Sequence, residues 1–207
     1  MKKGVTFGID IDEVIRALVP NMVDLYNREF NENMKVDDVK DYIVDNAFPK
    51  IKEMTGVSAS KWFFQDHGHE LFFGSDMIDG AKSSIDALRE YGKVIIISYQ
   101  KSLDNKIDTL NWLDHFGIKY DGICFVKDKS IVHTDFLIDD NDWNFIGCNS
   151  TVGVLVTAPY NKDVNMQELK EKSNCEEILR FGSLREFVSS YVSCHGLFMA
   201  YSQMMGR

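Results

Sequence analysis

Apolar positions change their period several times along the 207-residue chain, and those changes divide it into segments. Residues 5–11 form an apolar, β-forming run flanked by Gly4 and Gly8, the pattern of a buried strand. Ile15, Leu18, Val19, Met22, Val23, Tyr26 and Phe30 then recur at helical spacing. They predict an amphipathic helix over 14–30, bent at Pro20. Further helices are expected over 36–48 and 58–67, with Gly56 as a stop and Ser58 as an N-cap. No strand pattern interrupts the stretch from 14 to about 79.

Beyond it, short apolar runs alternate with helical ones. The pattern predicts a helix over 81–91 stopped by Gly92, a strand over 93–97 ending at Ser98, and a helix over 103–116 closed by Gly117. Strands follow over 122–126, 134–138 and 153–157, then an edge strand over 178–181 and a closing helix from 184 to about 201. Short apolar strands joined by helices specify an α/β fold, a Rossmann-like parallel sheet covered by helices on both faces. A small helical cap is inserted after the first strand. The expected division is 1–13 and 80–207 for the α/β core and 14–79 for the cap.

The first strand runs straight into Asp10 and Asp12. Isolated carboxylates at the end of a buried strand are poorly solvated, so a metal ion or a lysine should sit beside them. The carboxyl edge of a parallel sheet is also where open α/β folds place ligands. Ser98 and the pair Asp139-Asp140 end later strands, while Lys106 opens a helix and Lys129 lies in a loop. Each feature alone is an ordinary turn or cap residue. Their joint placement at strand ends is what suggests a site.

Charge then narrows the ligand. A net charge of −9 argues against a surface that grips a nucleic-acid polymer, yet a local cation still permits a small anionic substrate. Cys124, Cys148, Cys175 and Cys194 show neither metal nor disulfide spacing and read as reduced thiols of a cytoplasmic protein. The apolar stretch behind Lys2 and Lys3 is interrupted by Asp10 and Asp12, which argues against a signal peptide. No run has the length of a membrane span, so no membrane partner is expected, and a homodimer is compatible with the sequence.

The order Asp10-x-Asp12, Ser98, lysine, Asp139-Asp140 resembles the four motifs of the haloacid-dehalogenase-like (HAD) phosphohydrolases. More narrowly, MIDGAKSSIDALREYGKVIIIS, DKSIVHTDFLIDDN and VLVTAPYN are similar to the 5′(3′)-deoxyribonucleotidases. The resemblance implies Mg2+-dependent hydrolysis of a small phosphomonoester, a nucleoside monophosphate, through an aspartyl-phosphate. Asp10 is then the nucleophile and Asp12 the acid and base. Mg2+ would be held by Asp10, the Asp12 carbonyl and Asp140, with Asp139 beside it. Ser98 would contact phosphate. Lys106 is the first choice for the lysine that offsets phosphoryl charge, and Lys129 is a second phosphate-contacting lysine. One departure stands out: relatives usually carry Gly after the second aspartate, and this chain carries Glu13. Arg16 is expected to pair with Glu13 at the surface, with facing a substrate anion as the alternative.

The insertion is rich in rings, Trp62, Phe63, Phe64, Phe72 and Phe73, which suit stacking on a base. Most should form the insertion's own core, with Trp62 and Phe64 placed at the pocket. Asp66-His67-Gly68-His69-Glu70 resembles a metal cluster but reads better as a polar loop. Two alternatives stay open: a phosphatase of another metabolite such as a sugar phosphate, and a non-catalytic phosphate- or partner-binding domain.

Overall fold

The computed structural model describes residues 4–192. Six strands form one sheet: β1 (Val5–Ile9), β2 (Gly92–Ser98), β3 (Gly122–Phe125), β4 (Thr134–Asp139), β5 (Ser150–Val156) and β6 (Glu177–Phe181). Their order is β3-β2-β1-β4-β5-β6, and every neighbouring pair is parallel. β1 is central. Ile9 pairs with Ile96 on one side and Ile138 on the other, so the segments leaving β1, β2 and β4 emerge side by side.

Alternate residues of these strands feed two apolar layers. Phe7, Ile9, Val94, Ile96, Phe136 and Ile138 pack with α6 (Ala81–Arg89), α7 (Leu103–His115) and α9 (Leu184–Phe187). Ile97, Leu137 and Leu155 point the other way, onto Phe145 and onto Leu169 of α8 (Met166–Lys172). Burial on both faces explains why the strands read as continuous apolar runs. Gly92 belongs to β2 and is not a helix stop. A Cβ there would lie 1.8 Å from the Val5 carbonyl oxygen, so only glycine lets the two strands close up.

Residues between β1 and α6 carry no named strand and form α1 (Leu18–Phe30), α2 (Val44–Ala47), α3 (Pro49–Thr55), α4 (Ala59–Lys61), a π-helical turn over Trp62–Asp66 and α5 (Gly68–Phe72). Leu18, Met22, Leu25, Tyr26, Phe48, Ile51, Phe63 and Leu71 gather into an apolar cluster of their own. The helix expected from residue 14 begins at Leu18, which puts Pro20 in the first turn, where a missing N–H breaks no bond and no bend is needed. The helix expected over 36–48 is broken. The Asp38 carboxylate accepts from the Lys35 N–H and so caps a 3-10 turn over Val36–Asp38, while that of Asp41 takes the Ile43 N–H, a local bond that competes with helix before α2. Ser58 does cap its helix, accepting from the Lys61 N–H, and Gly56 ends α3 at φ 77°.

The two linkers to the insertion run antiparallel, with the Ala17 N–H donating to the Asp76 carbonyl and the Ile78 N–H to that of Ile15. The insertion leans on α7 through the Asn105 amide donating to the Phe64 carbonyl at 3.0 Å and the Trp112 indole donating to the Ser75 carbonyl at 2.7 Å. The closing helix is described as far as residue 192, and the rest of its expected span, with Cys194, lies outside the described residues. Among the described residues, no helix is long and apolar enough to cross a membrane.

Candidate active site

Asp10 follows β1 and Asp140 follows β4, two neighbouring strands, while Asp139 is the last residue of β4. All three are buried, and one carboxylate oxygen from each lies within 4.8 Å of the others. Lys129 enters the same space. Its Nζ is 2.9 Å from Asp10 Oδ1 and 2.6 Å from Asp139 Oδ2. Burial alone would depress the Lys129 ammonium, but the attraction of Asp10 and Asp139 outweighs it and raises its pKa above the ordinary lysine value.

Of the two candidate lysines, it is Lys129 that meets these acids. Lys106, in the first turn of α7, is half-buried and pairs with none of these acids, because that turn starts beyond Ser98 and Ser102. Lys129 arrives on the crossover from β3 to β4, which must pass β2 and β1.

The acids do different work. Asp139 is fully satisfied: Oδ1 accepts from the Asn141 N–H and the Asn144 amide, both at 2.9 Å, and Oδ2 takes Lys129. Asp140 accepts from the Tyr160 hydroxyl through Oδ2, and its carbonyl accepts from the Asn161 amide at 2.6 Å. Burial, aided by the charges of Asp139 and Asp10, pushes the Asp140 carboxyl up. Burial likewise raises Asp10 to about 6, against the pull of Lys129. Three carboxylates against one ammonium leave two formal negative charges in a buried space. All-oxygen donors of that charge fit a hard divalent cation such as Mg2+, with Asp10 and Asp140 holding the freer oxygens. Among the described residues this is the one such acidic cluster. His69 instead sits 2.8 Å from Asp108, and His67 packs on Trp62.

Asp12 lies to the side, with its side chain 23% exposed. Arg16 Nε donates to its Oδ1 at 2.8 Å and Gln100 Nε2 to its Oδ2 at 3.1 Å. Gln100 also reaches Ser98 Oγ at 3.4 Å, linking the ends of β1 and β2. Arg16 is therefore neither at the surface nor paired with Glu13. Asp12 and Arg16 are four residues apart, but a non-helical turn, not a helix, brings them together. Tyr160 and Asn161, in the loop after β5, were not singled out as site residues, although VLVTAPYN marks that loop.

Glu13 occupies a backbone position that suits glycine. Its φ is 57°, a left-handed conformation that costs an L side chain roughly 1 kcal/mol. The side chain compensates by capping α1, accepting from the Val19 N–H at 2.7 Å. Burial raises its pKa from 4.5 to about 7. The folded state therefore prefers protonated Glu13, and that contribution to stability is lost as pH climbs from about 4.5 through about 7. Glu13→Gln keeps the acceptor and removes the titration. Its melting temperature should match wild type below about pH 4 and exceed it above pH 7; a constant difference across that range would refute the assignment.

Trp62, expected at the pocket, packs inside the insertion against Phe30, Phe63 and His67, with ring centroids 5.2, 4.9 and 4.2 Å away. A ring that large on a small helical insertion is needed for its core. Phe64 is half-buried and stacks on Phe72 at 5.9 Å, beside Arg16. Tyr42 of the insertion meets Tyr160 edge-on at 5.5 Å, above Asp140. Tyr42 is 55% exposed there.

Comparison with solved structures places the fold. A crystal structure of a predicted phosphatase from Clostridium acetobutylicum superposes with TM-score 0.60 at 12% identity, covering 92% of this chain and 99% of that one. A HAD-hydrolase of Bacillus subtilis bound to magnesium gives 0.54 at 14%, covering 91% and 98%. The fold is that of the haloacid-dehalogenase-like class. Within that class, residues 3–182 match the model of the family described as 5′ nucleotidase, deoxy (pyrimidine), cytosolic type C, and the chain belongs to that family. A 5′(3′)-deoxyribonucleotidase of Clostridium acetobutylicum is 28% identical over 166 residues, 77% of this chain and 86% of that protein. The protein is a hydrolase of phosphoric monoesters.

Proposed function

We propose that the chain is a Mg2+-dependent 5′(3′)-deoxyribonucleotidase in which Asp10 accepts the phosphoryl group. The observation that carries this reading is the cluster of Asp10, Asp139 and Asp140 with Lys129 among them. It supplies a nucleophile, a hard-cation site and a fixed positive charge within one buried space. Mg2+ bound there would neutralise the carboxylates and the phosphate oxygens that face them. Asp10 attacks phosphorus as the bond to the sugar oxygen breaks, and Asp12 delivers a proton to that oxygen. Asp12 then takes a proton from water, whose oxygen attacks phosphorus and frees Asp10. Lys129 holds Asp10 in place and offsets charge on the transferred group, while Ser98 is positioned at the end of β2 to donate to phosphate. Asp139 orients Lys129.

The segment 14–79 serves as the cap, with Tyr42 and Phe64 as its substrate-facing rings in place of Trp62. The relative named as a 5′(3′)-deoxyribonucleotidase and the family match favour a nucleotide over a sugar phosphate. The test is phosphate release from a panel of 5′- and 3′-deoxynucleoside monophosphates, ribonucleotides and sugar phosphates in Mg2+. Deoxynucleoside monophosphates should give the highest kcat/KM. A sugar phosphate turned over faster than every nucleotide would overturn the substrate assignment.

A further inference from the structure

Only two of the described lysines and arginines are buried, Lys129 and Arg16, and Arg16 is 0% exposed. A desolvated guanidinium is costly unless its donors are matched. Here each is aimed. Nε donates to Asp12 Oδ1, and Nη2 lies 2.6 Å from the same oxygen as an ion pair. Nη1 donates to the Phe72 carbonyl at 2.9 Å and to Thr109 Oγ1 at 3.2 Å. The Phe72 and Trp112 rings lie against the guanidinium, 4.9 and 5.4 Å from its carbon. The backbone is equally fixed, since the Arg16 N–H donates to the Ile11 carbonyl and its own carbonyl accepts from Glu13. Gln100, also buried, holds the other Asp12 oxygen.

We infer that the buried Arg16–Gln100 clamp positions the Asp12 carboxylate for proton transfer, and that Arg16 ties this position to the helical insertion through the Phe72 carbonyl. Left to itself, a side chain as exposed as Asp12 would sample several rotamers. Gripped at both oxygens, it presents one orientation to the leaving group. Arg16 would act through the Asp12 carboxylate, so it is a positioning residue. The inference rests on the acid–base role proposed above for Asp12.

The test exploits leaving groups. Departure of a nucleoside alkoxide needs a proton, whereas the p-nitrophenolate of an aryl phosphate leaves without one. Because kcat/KM reports the steps up to that departure, the later attack of water does not enter. Arg16→Met should lower kcat/KM for a deoxynucleoside monophosphate on the order of 100-fold and for p-nitrophenyl phosphate by less than about 5-fold. Asp12→Asn should show the same contrast. Arg16→Lys returns the charge without the fork and should restore part of the nucleotide activity. Should Arg16→Met fail to fold, Arg16→Lys and Gln100→Met carry the same comparison, since neither strands a buried charge. Equal losses on both esters in the folded variants, with Asp12→Asn discriminating, would overturn the clamp and leave the phosphatase reading standing. If wild type released phosphate from neither ester, both would fall.

Discussion

Asp10→Asn is expected to abolish phosphate release, by on the order of 10⁴-fold or more in kcat, without unfolding the protein. The amide is isosteric with the carboxylate but is no nucleophile towards phosphorus. The fold should tolerate it, because Asp10 is one of three crowded carboxylates and its burial already disfavours the charged form. Removing that charge relieves repulsion on Asp139 and Asp140 while costing one contact to Lys129. Circular dichroism and thermal melting check the fold, and a phosphate assay checks the chemistry. Activity near wild type would mean that another group, or water directly, attacks phosphorus.

Lys129→Met should damage both stability and activity. Taking the ammonium away strands Asp10 and Asp139 in a buried space, a change of about 3–5 kcal/mol for comparable buried pairs. The loss should depend on pH. Asp10 is protonated below about 6, so fewer charges are stranded at pH 5 than at pH 8, and the variant should melt closest to wild type in acid. Lys106→Met provides the contrast. That side chain pairs with no acid of the cluster, so activity should fall by less than about 5-fold with stability unchanged. Melting curves at two pH values and steady-state kinetics on both variants decide the matter. Greater loss of activity in Lys106→Met than in Lys129→Met would restore the ranking by position in the chain.

The two lysines also show how far the sequence can be read. Asp10, Ser98 and Asp139-Asp140 were legible because each ends an apolar run, and in a parallel sheet such runs end at one edge. What the sequence does not state is strand order. Nearness to Ser98 favoured Lys106, but β1 lies between β2 and β4, so the crossover from β3 carries Lys129 over Asp10. Arg16 was misread for a local reason. The N–H groups of Val14, Ile15 and Arg16 all turn onto the Ile11 carbonyl, and Glu13 adopts a positive φ, so residues 12–16 do not follow helical geometry. Periodicity could not foresee that turn, nor that Asp41 would use its carboxylate to interrupt the next expected helix. Trp62 shows the opposite limit: its ring type suits a base, but packing claimed it.

The central claim is that buried carboxylates from two neighbouring strands share one divalent cation during phosphoryl transfer. It is tested most directly by following phosphate release from a deoxynucleoside 5′-monophosphate before chelation, after exhaustive chelation, and after Mg2+ is returned. The account predicts loss of turnover with the metal and its recovery with Mg2+, together with a higher melting temperature of the metal-loaded protein. Undiminished turnover in the chelated protein would contradict it.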